Sequence, residues 1–198
     1  MTPPDPHKTS TSDRILHAFM RLVAERGVDA TTTRVLAEHA RVNEVTIFRL
    51  FGDKANLAAA AVHRFQSAAL IGAYPVQIDA SSPRCAADDL LGILNFLRAR
   101  MLDRPEFIQF AASEFWRFPE LKDELGATPR AARDLVERAL VAAAPALRAD
   151  LDARAASVSL VGVLFISVVW QSRGWLDQSE AEWQAAIRQA VECLLRQD

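Results

Sequence analysis

Residues 32–54, TTRVLAEHARVNEVTIFRLFGDK, read as two short helices joined by a tight turn. Asn43 suits an N-cap, because its short side-chain oxygen can accept from the free amides of a first helical turn. Glu44 and Val45 follow it before apolar residues resume at Ile47 and Phe51. Val42 then stands at N′ and Ile47 at N4, the two positions of a hydrophobic staple, so Ile47 and Phe51 are expected to point inward. Helical spacing leaves Glu44, Val45, Phe48 and Arg49 on the opposite face. That mixture of β-branched, aromatic and charged groups is an odd choice for a solvated surface and predicts a covering partner. The preceding helix is capped by Thr32, carries Arg34 in its first turn and packs through Leu36, Ala37 and Ala40. Two such helices joined by three or four residues follow helix-turn-helix grammar, with the second helix suited to a DNA major groove. An ordinary helical hairpin would bury Leu36, Val42, Ile47 and Phe51 equally well, but it would leave the outward face, Arg34 and Lys54 unexplained.

At these residues the chain resembles the TetR family of bacterial transcriptional regulators. The pattern T-T-x-R-x-[IL]-A-x-x-A-x-V-x-x-x-T-[LI]-[YF]-x-x-F-x-x-K-x-x-L is met from Thr31 through Thr32, Arg34, Leu36, Ala37, Ala40, Val42, Thr46, Ile47, Phe48, Phe51 and Lys54 to Leu57. Arg41 replaces the usual turn glycine, Phe48 a tyrosine whose hydroxyl commonly meets phosphate, and Leu50 a residue often aromatic or histidine. If Arg41 must take a left-handed conformation, the strain is on the order of 1 kcal/mol. The resemblance covers residues 13–60 by motif and the remainder by helix pattern alone. It implies a homodimeric repressor that leaves its operator when a small molecule enters the helical body.

The composition sets wide bounds. A chain of 198 residues can bury a substantial core as one domain or two small ones. Its formal charge of −2 gives no basic signature, and the charge split between the two ends is too slight to use. Two cysteines, Cys85 and Cys193, fit neither a metal site nor a disulfide framework, and a reducing cytoplasm is the expected home. Residues 1–11, with their prolines and the single Lys8, suggest a mobile arm rather than a signal peptide. Residues 155–172 carry no charge, but their length barely reaches a membrane span and serines dilute them. A helix buried on most sides, with no membrane contact, is expected there.

The rest of the chain reads as helices. Residues 12–26 place Ile15, Leu16, Phe19, Leu22 and Val23 on one stripe, with Gly27 as the C′ stop. Asp53 is expected to cap a connecting helix over residues 54–73, and residues 74–84 form a loop. Further helices follow: one through Leu90, Leu94, Leu97 and Met101, one from Pro105 to Pro119, and others over residues 128–144, 150–173 and 179–197. Sustained strand alternation is absent, so the chain is all-α. It is expected to have a helix-turn-helix domain over residues 12–53 and a ligand-binding and dimerisation body over residues 54–198.

No nucleophile with its base, no metal-ligand spacing and no dinucleotide fingerprint appears, so neither an enzyme nor a cofactor is expected. The DNA-contact candidates are Thr32, Thr33, Arg34, Asn43, Glu44, Val45, Thr46, Phe48 and Arg49. The resemblance adds Lys54 as a phosphate anchor, which also suits the positive end of a helix dipole. The large apolar residues Phe65, Phe96, Met101, Phe110, Trp116, Phe165 and Trp170 can be core. With the resemblance they are expected to line a cavity for a small apolar or aromatic effector. Val161, Phe165, Val169, Trp183, Ile187, Val191 and Leu194 are the expected homodimer interface. Two rivals stand: a helical enzyme or carrier with an incidental helix-turn-helix, and a DNA-binding protein without a ligand.

Overall fold

The computed structural model describes residues 10–196, so nearly all of the expected N-terminal arm, Lys8 included, lies outside the described residues. Among those residues every named element is helical, and the one extended pairing is an isolated antiparallel bridge between Leu147 and Leu195. The elements fall into two compact units. Unit 1 takes the chain up to Gln66 together with Glu106–Leu125; unit 2 takes Ser67–Pro105 and the chain from Gly126 onward. The division expected between residues 53 and 54 is therefore not where the units part.

Unit 1 is built on α1 (Thr11–Ala30), α2 (Thr33–Ala40), α3 (Glu44–Phe51), α4 (Lys54–Phe65) and α7 (Pro105–Ser113). Local chemistry starts α2, α3 and α4 where they were expected. Thr32 Oγ1 accepts from the Val35 amide at 3.3 Å, Asn43 Oδ1 from Val45 at 2.9 Å, and Asp53 Oδ1 from Asn56 at 2.7 Å. Gly27 takes φ 80°, ψ 166° inside α1 and ends its regular part, as its lack of a Cβ allows. The core gathers Ile15, Leu16, Phe19 and Leu22 of α1, Leu36 of α2, and Leu57, Ala61 and Phe65 of α4. Each fully buried leucine, isoleucine or phenylalanine contributes about 1.5–3 kcal/mol. Phe110 of α7 is fully buried in this same core, its ring 6.4 Å from Phe19 and 5.9 Å from Phe118.

Two expected helices are interrupted. The connecting helix over residues 54–73 stops at Phe65, where Gln66 turns extended (φ −60°, ψ 148°), and only the short α5 (Ala68–Gly72) follows. The Ser67 amide, which a continuous helix would have used internally, donates instead to Thr128 Oγ1 at 3.2 Å. The helix begun at Pro105 ends at Ser113 and is followed by single 3-10 turns at Phe115–Arg117 and Pro119–Leu121.

Unit 2 is built on α6 (Pro83–Leu102), most of α8 (Lys122–Ala142), α9 (Ala153–Ser172) and α10 (Glu180–Glu192). Ser179 opens α10 with a reciprocal capping box to Glu182. Trp183, Ile187 and Val191 of α10 are buried with Leu90, Leu94 and Leu97 of α6 and Leu160, Leu164 and Val168 of α9. A polar stitch holds the same layer: Trp183 Nε1 donates to Asn95 Oδ1 at 3.1 Å, and buried Arg98 donates to Glu180 at 2.7 Å with its guanidinium 4.9 Å from the Trp183 ring.

Helix α9 departs from the sequence expectation. It is long and apolar enough to cross a membrane by length and composition, yet only 39% of its most apolar window is buried. One side, through Ala156, Ser157, Leu160, Val161, Leu164, Val168 and Val169, faces the core. The other leaves Val158, Val163, Ile166 and Trp170 exposed. The protomer covers this helix on one side, not on most sides.

Candidate nucleic-acid interface

The turn between α2 and α3 is fixed by backbone geometry. Arg41 adopts φ 52°, ψ 50°, the left-handed region that a glycine would occupy freely. The Val42 amide reaches Ala37 O at 3.0 Å and the Arg41 amide reaches Glu38 O at 3.2 Å, the paired bonds of a Schellman cap. Arg14, one helix away, donates through Nη2 to Ala40 O at 2.9 Å and Arg41 O at 3.1 Å, so carbonyls left open at the end of α2 are satisfied by a cation. The sequence reading missed Arg14, because the contact spans 26 residues.

With the turn held, α3 presents the expected two faces. Ile47 is buried and Phe51 half-buried, whereas Val45 is 70% exposed, Phe48 51% exposed, and Arg49 and Leu50 are also exposed. Thr46 is half-buried. Thr32 and Asn43 spend their side chains on caps. Thr33 Oγ1 donates to Glu44 Oε1, tying the start of α2 to the start of α3. Arg34 is almost fully solvated and pairs loosely with Glu38 at 3.4 Å, which leaves its guanidinium free to change partners.

Lys54 sits in the first turn of α4 and donates from Nζ to Val28 O at 2.6 Å. Partial burial depresses its pKa below the ordinary lysine value, nearby Arg117 pushes the same way, and Asp29 opposes both. One of its three protons is thus spent on the turn that ends α1, a contact that spacing could not show.

The expected cavity residues divide between the units. In unit 1, Phe110 is core, and Phe65 is buried with its ring edge-on to His17 at 4.7 Å. Trp116 is 63% exposed and donates its indole N–H to Ser113 O. These three do not form a lining within that unit: Phe110 and Phe65 fill the core, and Trp116 faces solvent. In unit 2, Met101 is buried, Phe96 is half-buried and stacked on Tyr74 at 4.1 Å, Phe165 is half-buried, and Trp170 is exposed.

The expected dimer residues need a similar correction. Trp183, Ile187 and Val191 are consumed by the protomer's own core, and Val161 and Val169 are buried on the inner side of α9. Open grooves run along the outer side instead. One of about 350 Å³ is lined by Leu151, Ala155, Ser159, Val163, Ala190 and Leu194. A second of about 160 Å³ is lined by Val163, Ile166, Trp170, Leu176, Ala186 and Ala190, with Trp183 and Ile187 at its floor.

Comparison with known proteins agrees with this geometry. Residues 15–61 match the family described as bacterial regulatory proteins, tetR family. An uncharacterized HTH-type transcriptional regulator of Bacillus subtilis (strain 168), YvkB, is 46% identical over 57 residues; the match spans 29% of this chain and 30% of that relative's length. Among solved structures, native NalD, the secondary repressor of the MexAB-OprM multidrug efflux pump in Pseudomonas aeruginosa, is similar at 18% identity and TM-score 0.70, over 94% of this chain and 97% of that one. The fatty acid degradation regulator FadR of Bacillus halodurans is 17% identical with TM-score 0.64, over 98% and 97%. At these identities the two structures speak for the fold alone. The motif, the Schellman-capped turn and the family match all fall on the same residues, so over residues 15–61 the chain is similar to the tetR family of bacterial regulatory proteins.

Proposed function

We propose that the protein is a DNA-binding transcriptional regulator that reads an inverted-repeat operator as a homodimer. The observation that carries this reading is the outer face of α3. A rigid scaffold holds Val45, Phe48 and Arg49 exposed on a helix whose opposite face is buried, which is costly for a free surface and apt for a major groove. Arg49 is assigned base reading, and Phe48 contact with sugar or a thymine methyl. Thr33, Arg34 and the two remaining protons of Lys54 are assigned the phosphates. The partner that covers Val158, Val163, Ile166 and Trp170 is a second copy of the chain, because a two-fold pairing of α9 and α10 closes both grooves at once and places two reading heads symmetrically. The function expected of the family is repression relieved by a small apolar or aromatic effector. Phe96, Met101 and Phe165 of unit 2 are the residues assigned to it, whereas Phe110 fills the core of unit 1 and Trp170 belongs to the face that the second copy covers.

Selection of bound duplexes from a random pool tests the reading. An enriched inverted repeat is the expected outcome, and Arg49→Ala should cost roughly 1–3 kcal/mol of binding and relax preference at one position of each half-site. A pool that shows no enrichment over random sequence would refute it.

A further inference from the structure

We infer that Arg117 is a positioning residue for DNA reading: with Asp29 and Glu114 it grips the turn between α1 and α2 and so sets where α2 and α3 stand. The inference rests on the DNA-binding reading above and adds a control point outside the helix-turn-helix. The turn begins at Gly27, whose missing Cβ would lie 3.6 Å from Glu114 Oε1, and runs to the buried Thr31, whose hydroxyl donates to Gly27 O at 2.9 Å. It is held from two directions. Lys54 of α4 donates to Val28 O, and Arg117 donates a fork of two bonds to Asp29, Nη1 to Oδ1 at 2.7 Å and Nη2 to Oδ2 at 2.6 Å. Arg117 Nε also lies 3.0 Å from Glu114 Oε2, an ion pair by distance but outside hydrogen-bond geometry, and its guanidinium stacks 4.6 Å from the Trp116 ring.

Fork geometry and stacking distinguish this contact from a loose surface pair, because a planar guanidinium held on one side by carboxylates and on another by a ring has one orientation. Three residues beyond Asp29 the chain enters the cap of α2 at Thr32, and Thr33 then joins α3 through Glu44. A displacement of Asp29 is therefore carried to both reading helices. Arg117 belongs to the stretch Glu106–Leu125, which returns to unit 1 while the chain on either side belongs to unit 2.

The test uses the full chain and the operator duplex that the parent selects. Arg117→Gln and Asp29→Asn should each weaken operator binding about five-fold or more, with binding to random duplex and the salt dependence unchanged. The double variant should be no weaker than either single one, as two partners of one contact behave. Asp29 is mostly exposed, so Asp29→Asn keeps the test sound if Arg117→Gln fails to fold. Arg117→Lys, which keeps the charge but loses the fork, should fall between parent and Gln variant. Variants that bind the operator like the parent would overturn the grip. So would additive losses in the double variant, or a salt slope lowered by about one, which would make Arg117 a phosphate contact. If the parent selects no operator, the DNA-binding reading falls, and this inference with it.

Discussion

Replacing Arg41 by glycine should stabilise the protein, and the size of the gain follows from one backbone angle. Arg41 stands at φ 52°, ψ 50° at the end of α2, where a residue with a Cβ carries roughly 1–2 kcal/mol of steric strain that glycine does not. Its side chain is exposed and makes no hydrogen bond or ion pair among the described residues, so little is lost with it. The backbone bonds of the cap, and the Arg14 bond to Arg41 O, do not depend on the side chain. Against the relief stands the greater freedom of glycine in the unfolded chain, which brings the net gain to about 1 kcal/mol. Arg41→Ala separates the terms, since it removes the guanidinium and keeps the strain; it should match the parent within about 0.5 kcal/mol. Urea denaturation followed by circular dichroism, with slope and midpoint fitted together, measures both variants. In a thermal melt the glycine variant should gain about 2–4 °C if the chain unfolds as one unit, and about 4–8 °C if unit 1 melts alone. A glycine variant no more stable than the alanine one would show that the turn stores no strain at this residue.

The outer side of α9 should behave differently from the inner side of α10. Val163→Glu or Ile166→Glu should yield folded monomers by sedimentation with weak operator binding, whereas Val191→Glu, which buries a charge at a fully covered position, should lose helical signal altogether. A dimer that survives both α9 substitutions would exclude this face. The carboxyl of Asp13 is held below its ordinary value chiefly by its hydrogen bond from Arg64 and by Ser10, with Arg64 Nε at 2.7 Å. Because its folded pKa is the lower one, its contribution to stability is complete above the unfolded value near 3.8 and is lost as pH falls through the folded value. Urea midpoints of parent and Asp13→Asn should therefore differ at neutral pH and converge in acid, and a constant gap would refute the pairing. Asn43→Ala removes the cap of α3 and should cost about 1 kcal/mol, with operator binding weakened as that helix frays; an unchanged melting temperature would count against the cap.

Much of unit 1 was legible because its signals are local. Thr32, Asn43 and Asp53 cap helices by reaching amides two or three residues away, and Gly27 stops α1 by its own conformational freedom, so residue type and spacing suffice. The buried Ile47 and the exposed Val45, Phe48 and Arg49 follow from the period of the helix. Contacts between distant parts of the chain have no such signature. Arg14 reaches Ala40 across 26 residues and Arg117 reaches Asp29 across 88, and nothing in either neighbourhood marks the partner. At the break after Phe65 the Ser67 amide bonds Thr128, 61 residues away, a partner that no local signal marks.

The apolar stripes show the same divide. Val163, Ile166 and Trp170 recur at helical spacing just as Trp183, Ile187 and Val191 do, so periodicity alone makes both sets equally fit for a core or an interface. Only the packing of α10 with α6 and α9 buries one stripe in the protomer and leaves the other open. Which residues form helices and where those helices begin are properties of the chain over a few residues and can be read in one dimension. Which face of each helix meets its neighbour is decided by the one arrangement that buries the most apolar surface at once, and that exists only in the folded molecule.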